Sequence, residues 1–254
     1  MTLEEAFALR PREVISLVGG GGKTSLLFAL GEELSSRGRG TLLTTTTKIW
    51  EPSPSPSFAL LLADRLPEAK AGIRAHLGRR PYLLAACRRL PDGKLEGIPP
   101  EWITEFLSLP DLSAIIVEAD GSKGRSLKAP RPGEPVLPPR TTLLVPVIGI
   151  DALGRPLDER YVFRAEIASR LLGLPLGSQV TERAAARLLS FLLQGRPPEA
   201  RIVPFINKID LPAGPERARI LAQALFGLEG APVERVLLGQ ARNSPAVREV
   251  LFKS

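Results

Sequence analysis

Four consecutive glycines, Gly19 to Gly22, stand directly before Lys23 and Thr24 in the run ISLVGGGGKTSLLFAL. Glycine gives up more backbone freedom on folding than any other residue, so a chain concentrates it only where the path demands it. A surface linker would tolerate such a run, but here both flanks are hydrophobic. Val14–Val18 is a short apolar stretch of strand type, and Ser25–Leu34 carries apolar residues at helical spacing. Strand, glycine turn and helix start form the setting in which backbone N–H groups cradle phosphates. Gly19, Gly20, Gly21 and Gly22 let the chain wrap an anion, and the helix start from Lys23 through Ser25 adds partial positive charge. Lys23, expected at a solvent-facing junction, would reach the outer phosphates, and the Thr24 hydroxyl would ligate Mg²⁺.

The strict pattern G-x-x-x-x-G-K-[ST] needs a glycine where Leu17 stands, which leaves G-x-x-G-K-T from Gly19 to Thr24. That form resembles the loop of the metal-maturation and partitioning NTPases, the SIMIBI type, and also that of the Mur-type ligases. A lysine that many of the former carry is replaced here by Val18.

The 254 residues are 44% hydrophobic and 24% charged, with mean hydropathy +0.06, which suits a sizeable α/β core. No apolar run is long enough to span a bilayer, and the start, MTLEEAFALR, is acidic where a signal peptide would be basic. Cys87 stands alone, which excludes an intrachain disulfide and a cysteine-based zinc site. A cytoplasmic protein is expected. Net charge +7 and a pI near 10.0 permit an anionic partner. The basic residues are scattered, however, and aromatics make up only 5%, so solvated surface is the reading and nucleic acid is not expected.

Apolar strand-like runs alternate with amphipathic stretches, which predicts an α/β fold with a mostly parallel sheet flanked by helices on both faces. Strands are expected at Glu13–Val18, Thr41–Thr46, Tyr82–Ala86, Ala114–Glu118, Thr142–Ile148, Arg201–Ile206 and Arg235–Leu238. Helices are expected at Lys23–Arg37, Glu68–Leu77, Pro100–Ser108, Arg164–Leu172, Glu182–Leu193 and Pro215–Phe226. The proline-rich segments near 51–57 and 124–140 read as loop excursions from a single nucleotide-binding domain covering 1–254.

Three further stretches carry chemistry. In LSAIIVEADGSKG an apolar strand ends in Glu118 and Asp120, where a phosphate-loop protein keeps its Mg²⁺-facing carboxylate. Asp120, nearer the turn, is the expected metal partner of Thr24; Glu118 and Lys123 are expected beside it, orienting water or sensing the γ-phosphate. In FINKIDLP, Asn207, Lys208 and Asp210 resemble the guanine-recognition motif of GTPases. The Asp210 carboxylate can accept from the ring N–H and the exocyclic amine of guanine, whereas adenine presents a lone pair there. Lys208 would lay its stem over the base, and Asn207 would tie this loop to the glycine loop. In TLLTTTTKIW, Thr44 and Thr45 reflect strand propensity, while Thr47 and Lys48 at the strand end are candidates for γ-phosphate contact. His76 lacks a second histidine and Cys87 reads as a small hydrophobe.

VGGGGKTSLL, TTTTKIW, IIVEADGSKGRSLKAP and FINKIDLP together resemble the selenium-dependent hydroxylase accessory protein family of YqeC type. The resemblance runs from near the N-terminus to about Leu211 and implies a P-loop NTPase that helps mature selenium-dependent molybdenum hydroxylases. Its implied ligands are Mg²⁺ and a nucleotide, GTP or ATP. Its implied partners are a molybdenum hydroxylase or the machinery that inserts its cofactor, with a homodimer as a further arrangement. An ATP-dependent ligase or kinase, and a non-hydrolysing cofactor-delivery module, stay open as alternatives.

Overall fold

The computed structural model describes residues 1–77, 82–230 and 232–253. Its centre is a ten-stranded sheet made from β1 (Glu13–Gly19), β2 (Thr41–Thr45), β3 (Phe58–Leu62), β4 (Tyr82–Ala86), β5 (Ala114–Glu118), β6 (Leu143–Gly149), β7 (Arg201–Ile202), β8 (Phe205–Asn207), β9 (Arg235–Gly239) and β10 (Val247–Phe252). Across the sheet the order is β10-β9-β8-β6-β1-β5-β2-β4-β3, with β7 beside the start of β6. Every pairing is parallel except β9 with β10.

The glycine-loop strand β1 is thus central, between β5 and β6, and all seven of its residues are buried. Successive side chains leave a strand on opposite faces. Val14 and Val18 join one core and Ile15 and Leu17 the other, which is why the run is apolar without alternation. Helices α1 (Leu3–Phe7) and α2 (Lys23–Ser36) cover the Ile15 face. Helices α3 (Leu66–His76), α4 (Trp102–Phe106), α5 (Ala165–Leu172), α6 (Glu182–Ser190) and α7 (Gly214–Phe226) cover the Val14 face. On α2 the stripe Leu26, Leu27, Leu30, Gly31 and Leu34 is buried, each leucine contributing about 1.5–3 kcal/mol. Gly31 sits where a Cβ would press on Leu43 of β2, which lets the helix lie close on the sheet.

Several expectations are revised. The predicted strand Arg201–Ile206 is broken between β7 and β8, because Pro204 has no N–H to give a central ladder. Pro100–Ser108 shrinks to the short α4, and α6 ends in a 3-10 turn, Phe191–Leu193. The segment 51–57 is a loop, but 124–140 is not loop throughout. Leu127–Lys128 pairs in parallel with Val162–Phe163, and Ser126–Ala129 are buried. After Thr45 the chain leaves the main sheet, and Lys48–Trp50 joins Lys94–Glu96 and Arg88–Arg89 in a small antiparallel sheet. Arg79 and Arg80 of the scattered basic residues lie outside the described residues. Among the described residues no helix is long and apolar enough to cross a membrane.

Candidate functional site

In an open parallel sheet, ligands collect outside the carboxyl ends of the strands. Here the segments following β1, β2, β5, β6, β8 and β9 all line one cleft of about 1400 Å³. The glycines form its floor. Gly22 adopts φ +125°, and a Cβ there would come within 2.2 Å of Asn207 Nδ2. Gly20 needs no left-handed conformation, but a Cβ would meet Arg125 O at 2.4 Å. The loop is therefore glycine because neighbouring backbone and the Asn207 side chain are packed against it. Gly22 precedes α2 without a side-chain cap, so the first N–H groups of the helix stay available to an anion.

Lys23 is only 3% exposed, against the expectation of a solvent-facing position. Its Nζ donates to Gly19 O at 2.6 Å and lies 3.7 Å from Glu118 Oε1 and 3.2 Å from Asp120 Oδ1. The last approach lacks hydrogen-bond alignment, so this buried Asp120 oxygen accepts no hydrogen bond. Gly19 O and the two carboxylates together satisfy the ammonium.

The two carboxylates differ from expectation. Thr24 Oγ1 donates to Glu118 Oε2 at 2.8 Å, and Glu118 lines the cleft. Asp120 is fully buried: its Oδ2 accepts from Gly19 N–H at 2.9 Å and is 3.1 Å from Lys128 Nζ. Thr24 accordingly meets Glu118 rather than Asp120, and the predicted Thr24–Asp120 metal pair is not the one the geometry assembles. The reason lies in the strand end. Glu118 is still in β5, in register with Leu17 and Thr45, and its backbone O is held by Thr45 Oγ1 at 2.8 Å. Asp120 lies beyond that pinned end and is drawn beneath the glycine loop by Gly19 and Lys128. Burial pushes the Glu118 carboxyl up, against the pull of Lys23 and of the Thr24 hydroxyl.

Lys128, fully buried, continues the network to Glu134 Oε2 at 2.9 Å, and Arg164 donates to both oxygens of Glu134. Burial alone would raise the Glu134 carboxyl, but Arg164 and Lys128 outweigh it and hold it at about 2. Nothing in the sequence singles out Lys128, Glu134 or Arg164. A lysine and a glutamate among prolines give no periodic signal.

At the other end, Asn207 bridges two loops: its Nδ2 donates to Gly21 O at 2.7 Å, and its Oδ1 accepts from Ala241 N–H at 2.9 Å. Lys208 takes φ +65° and donates to Ser126 Oγ and Asp151 Oδ2, both at 2.7 Å. Asp210 is exposed and lines the cleft. The loop Gln240–Asn243, also on the cleft, was not foreseen; its position after a strand next to the Asn207 strand was the available signal. Ser25 lies on the lining, with Arg242 Nε donating to its hydroxyl at 3.3 Å.

Thr47 and Lys48 both line the cleft; Thr47 is tethered through its N–H to Thr45 Oγ1, and Lys48 is exposed. Lys123 is exposed and rests over the Phe163 ring at 5.4 Å. His76 caps its own helix through Gly72 O. Burial raises the half-buried Cys87 thiol, the wrong direction for a reactive thiolate.

Among the described residues no three His, Cys, Asp or Glu side chains cluster as a metal site. Thr24 and Glu118 supply hard oxygens of the kind Mg²⁺ takes, with room for phosphate oxygens and water to complete the shell. A glycine loop between a central parallel strand and a helix, with an acidic strand beside it, defines the P-loop class of nucleotide-binding proteins. The family model described as YqeC protein matches residues 15–166, more than half of the chain. The uncharacterized protein YqeC of Escherichia coli (strain K12) is 32% identical over 238 residues, covering 92% of this chain and 90% of that protein. The chain belongs to the YqeC family. A crystal structure of FtsY from Mycoplasma mycoides covers 99% of this chain and 70% of its own at 8% identity, with a TM-score of 0.32, too slight a likeness to build on.

Proposed function

We propose that this protein binds a nucleoside triphosphate with Mg²⁺, GTP in preference to ATP, and hydrolyses it while serving the maturation of selenium-dependent molybdenum hydroxylases. The observation that carries the reading is the placement of Thr24, Glu118 and Lys23 together at an uncapped helix start. In this reading the helix N–H groups and Lys23 hold the β- and γ-phosphates, releasing Lys23 from Gly19 O. Thr24 and Glu118 hold Mg²⁺, which neutralises charge developing on the phosphate oxygens. Asp120 serves as a buried anchor for Gly19 and Lys23 and does not ligate the metal. Thr47 faces the outer phosphate, and Lys48 and Lys123 stand where the phosphate site gives way to the rest of the cleft. Asp210 accepts from guanine, beside the Asn207 clamp between the glycine loop and Ala241. The hydroxylase role rests on the family resemblance.

Calorimetry with GTP and ATP, each with and without Mg²⁺, tests the reading. Mg²⁺-dependent binding of GTP, weaker for ATP, supports it; no binding of either sinks it. The cleft volume favours one alternative, a kinase or ligase holding a second small substrate, and phosphate transfer to an acceptor in place of water would establish it.

A further inference from the structure

The cleft of about 1400 Å³ exceeds the usual 300–1000 Å³ of a site for one small ligand. The glycine loop and the segments after β8 and β9 account for a nucleotide's phosphates and base. What remains is the lobe beyond Thr47. It is lined by Lys48, Trp50, Lys94, Lys123, Arg131 and Arg164, with Glu134 as its acidic residue.

That carboxylate is consumed. Glu134 is engaged by Lys128 at 2.9 Å, Arg131 at 3.0 Å and Arg164 at 2.6 Å. Lys48 and Lys123 have no carboxylate within salt-bridge reach among the described residues. Glu96, opposite Lys48 across the small sheet, is taken by Arg88 at 2.6 Å. The lobe therefore carries uncompensated positive charge.

It also carries an aromatic surface. Strand alternation buries Ile49 and turns Lys48 and Trp50 outward together, and Trp50 is 66% exposed. Lys94, its cross-strand partner, is paired with Asp92 at 2.7 Å and lies over the indole, 4.7 Å from its centroid, so among the described residues the unpaired lysines of the lobe are Lys48 and Lys123. A single exposed tryptophan on a convex surface would need no explanation. One that lines a cleft between lysines is a stacking platform next to an anion site.

We propose that this lobe binds a second ligand, a planar ring bearing a phosphate or carboxylate, alongside the nucleotide. The proposal relies on the nucleotide reading only to fill the other end. Flavin mononucleotide serves as a probe of ring plus phosphate, riboflavin of ring alone and inorganic phosphate of anion alone. The chain has two tryptophans, so a Trp102→Phe background leaves Trp50 as the sole reporter. With GTP saturating, flavin mononucleotide should quench Trp50 saturably and bind at least about tenfold tighter than riboflavin, with phosphate competing. In the otherwise natural chain, calorimetry should show Trp50→Ala and Arg131→Ala each weakening the probe about tenfold while GTP affinity stays unchanged. This second measurement also decides the matter if Trp102→Phe fails to fold. Probe binding that GTP displaces one for one, or that Trp50→Ala leaves intact, overturns the proposal, as does GTP binding with no probe binding. Trp50-dependent probe binding without any GTP binding would keep the lobe and remove the nucleotide reading.

Discussion

Lys23 and Asp210 line one cleft and are held in opposite ways. Lys23 is buried against Gly19 O and two carboxylates, and Asp120 behind it is held by Gly19 N–H and Lys128. Asp210 is exposed, while its neighbours Asn207, between Gly21 and Ala241, and Lys208, on Ser126 and Asp151, are fixed. The phosphate end is a charge network that folding must complete, so its residues serve stability and binding together. At the proposed base end, the exposed Asp210 carboxylate is left for the ligand to engage. Substitutions should therefore move two quantities at the first end and one at the second.

The largest effect is expected for Lys23→Ala. Removing the ammonium strips the outer phosphates of a charge-assisted contact and leaves buried Glu118 and Asp120 facing each other. Triphosphate affinity should fall by about a hundredfold or more, and stability by about 3–5 kcal/mol, as for other broken buried ion pairs. Calorimetry and denaturant unfolding check the two together. A variant of wild-type stability would break the contrast between the ends.

Asp210→Asn tests the other end. The amide offers a donor where guanine also donates, while xanthine carries an oxygen there and is matched. A mispaired polar contact of about 1–3 kcal/mol predicts a tenfold to hundredfold loss of GTP and a gain of xanthosine triphosphate. Stability should move by less than about 0.5 kcal/mol, since the side chain is exposed. Competition binding of GTP, ATP and xanthosine triphosphate decides; an unchanged preference for ATP in both proteins would make Asn207–Asp210 a mere strand end.

This contrast also explains what could be read from the sequence. Strand, loop and helix around Gly19–Thr24 are local patterns, and local periodicity carries them. The parallel sheet follows from apolar runs alternating with helices. What could not be read is non-local. Lys128 and Glu134 join Asp120 only because Leu127–Lys128 pairs with Val162–Phe163, a two-residue contact with no periodic signature. That Thr24 meets Glu118 while Asp120 lies beneath the glycine loop is non-local for the same reason. Spacing two apart says the side chains share a direction, but not that Gly19 and Lys128 capture one of them.

Replacing each carboxylate separates those roles. Glu118→Gln should remove the Mg²⁺-dependent part of GTP affinity, about tenfold for one charged contact, with a modest change in stability. Asp120→Asn should keep the ratio of affinities with and without Mg²⁺ and instead lower the melting temperature, because Lys23 and Lys128 lose a buried counter-charge. Titrations of GTP at several Mg²⁺ concentrations distinguish them. Loss of Mg²⁺ dependence in Asp120→Asn alone would restore Asp120 as the ligand.

The last effect concerns the outer edge of the network and is read through pH. Arg164 and Lys128 hold the Glu134 carboxyl at about 2, below its ordinary 4.5. A carboxylate whose folded value is depressed stabilises the native state above its unfolded value and loses that stabilisation as pH falls through the folded one. Wild type should therefore exceed Glu134→Gln by a constant margin at pH 6–8. The margin should shrink as pH falls below 4.5 and vanish near 2. The full shift would be worth a little over 3 kcal/mol; partial solvent screening at the rim reduces the expected margin to about 1–3 kcal/mol. Urea unfolding of both proteins at stepped pH measures it. A margin that stays flat down to pH 3 would mean that Lys128 and Arg164 are satisfied without this carboxylate, and that the buried network ends at Asp120.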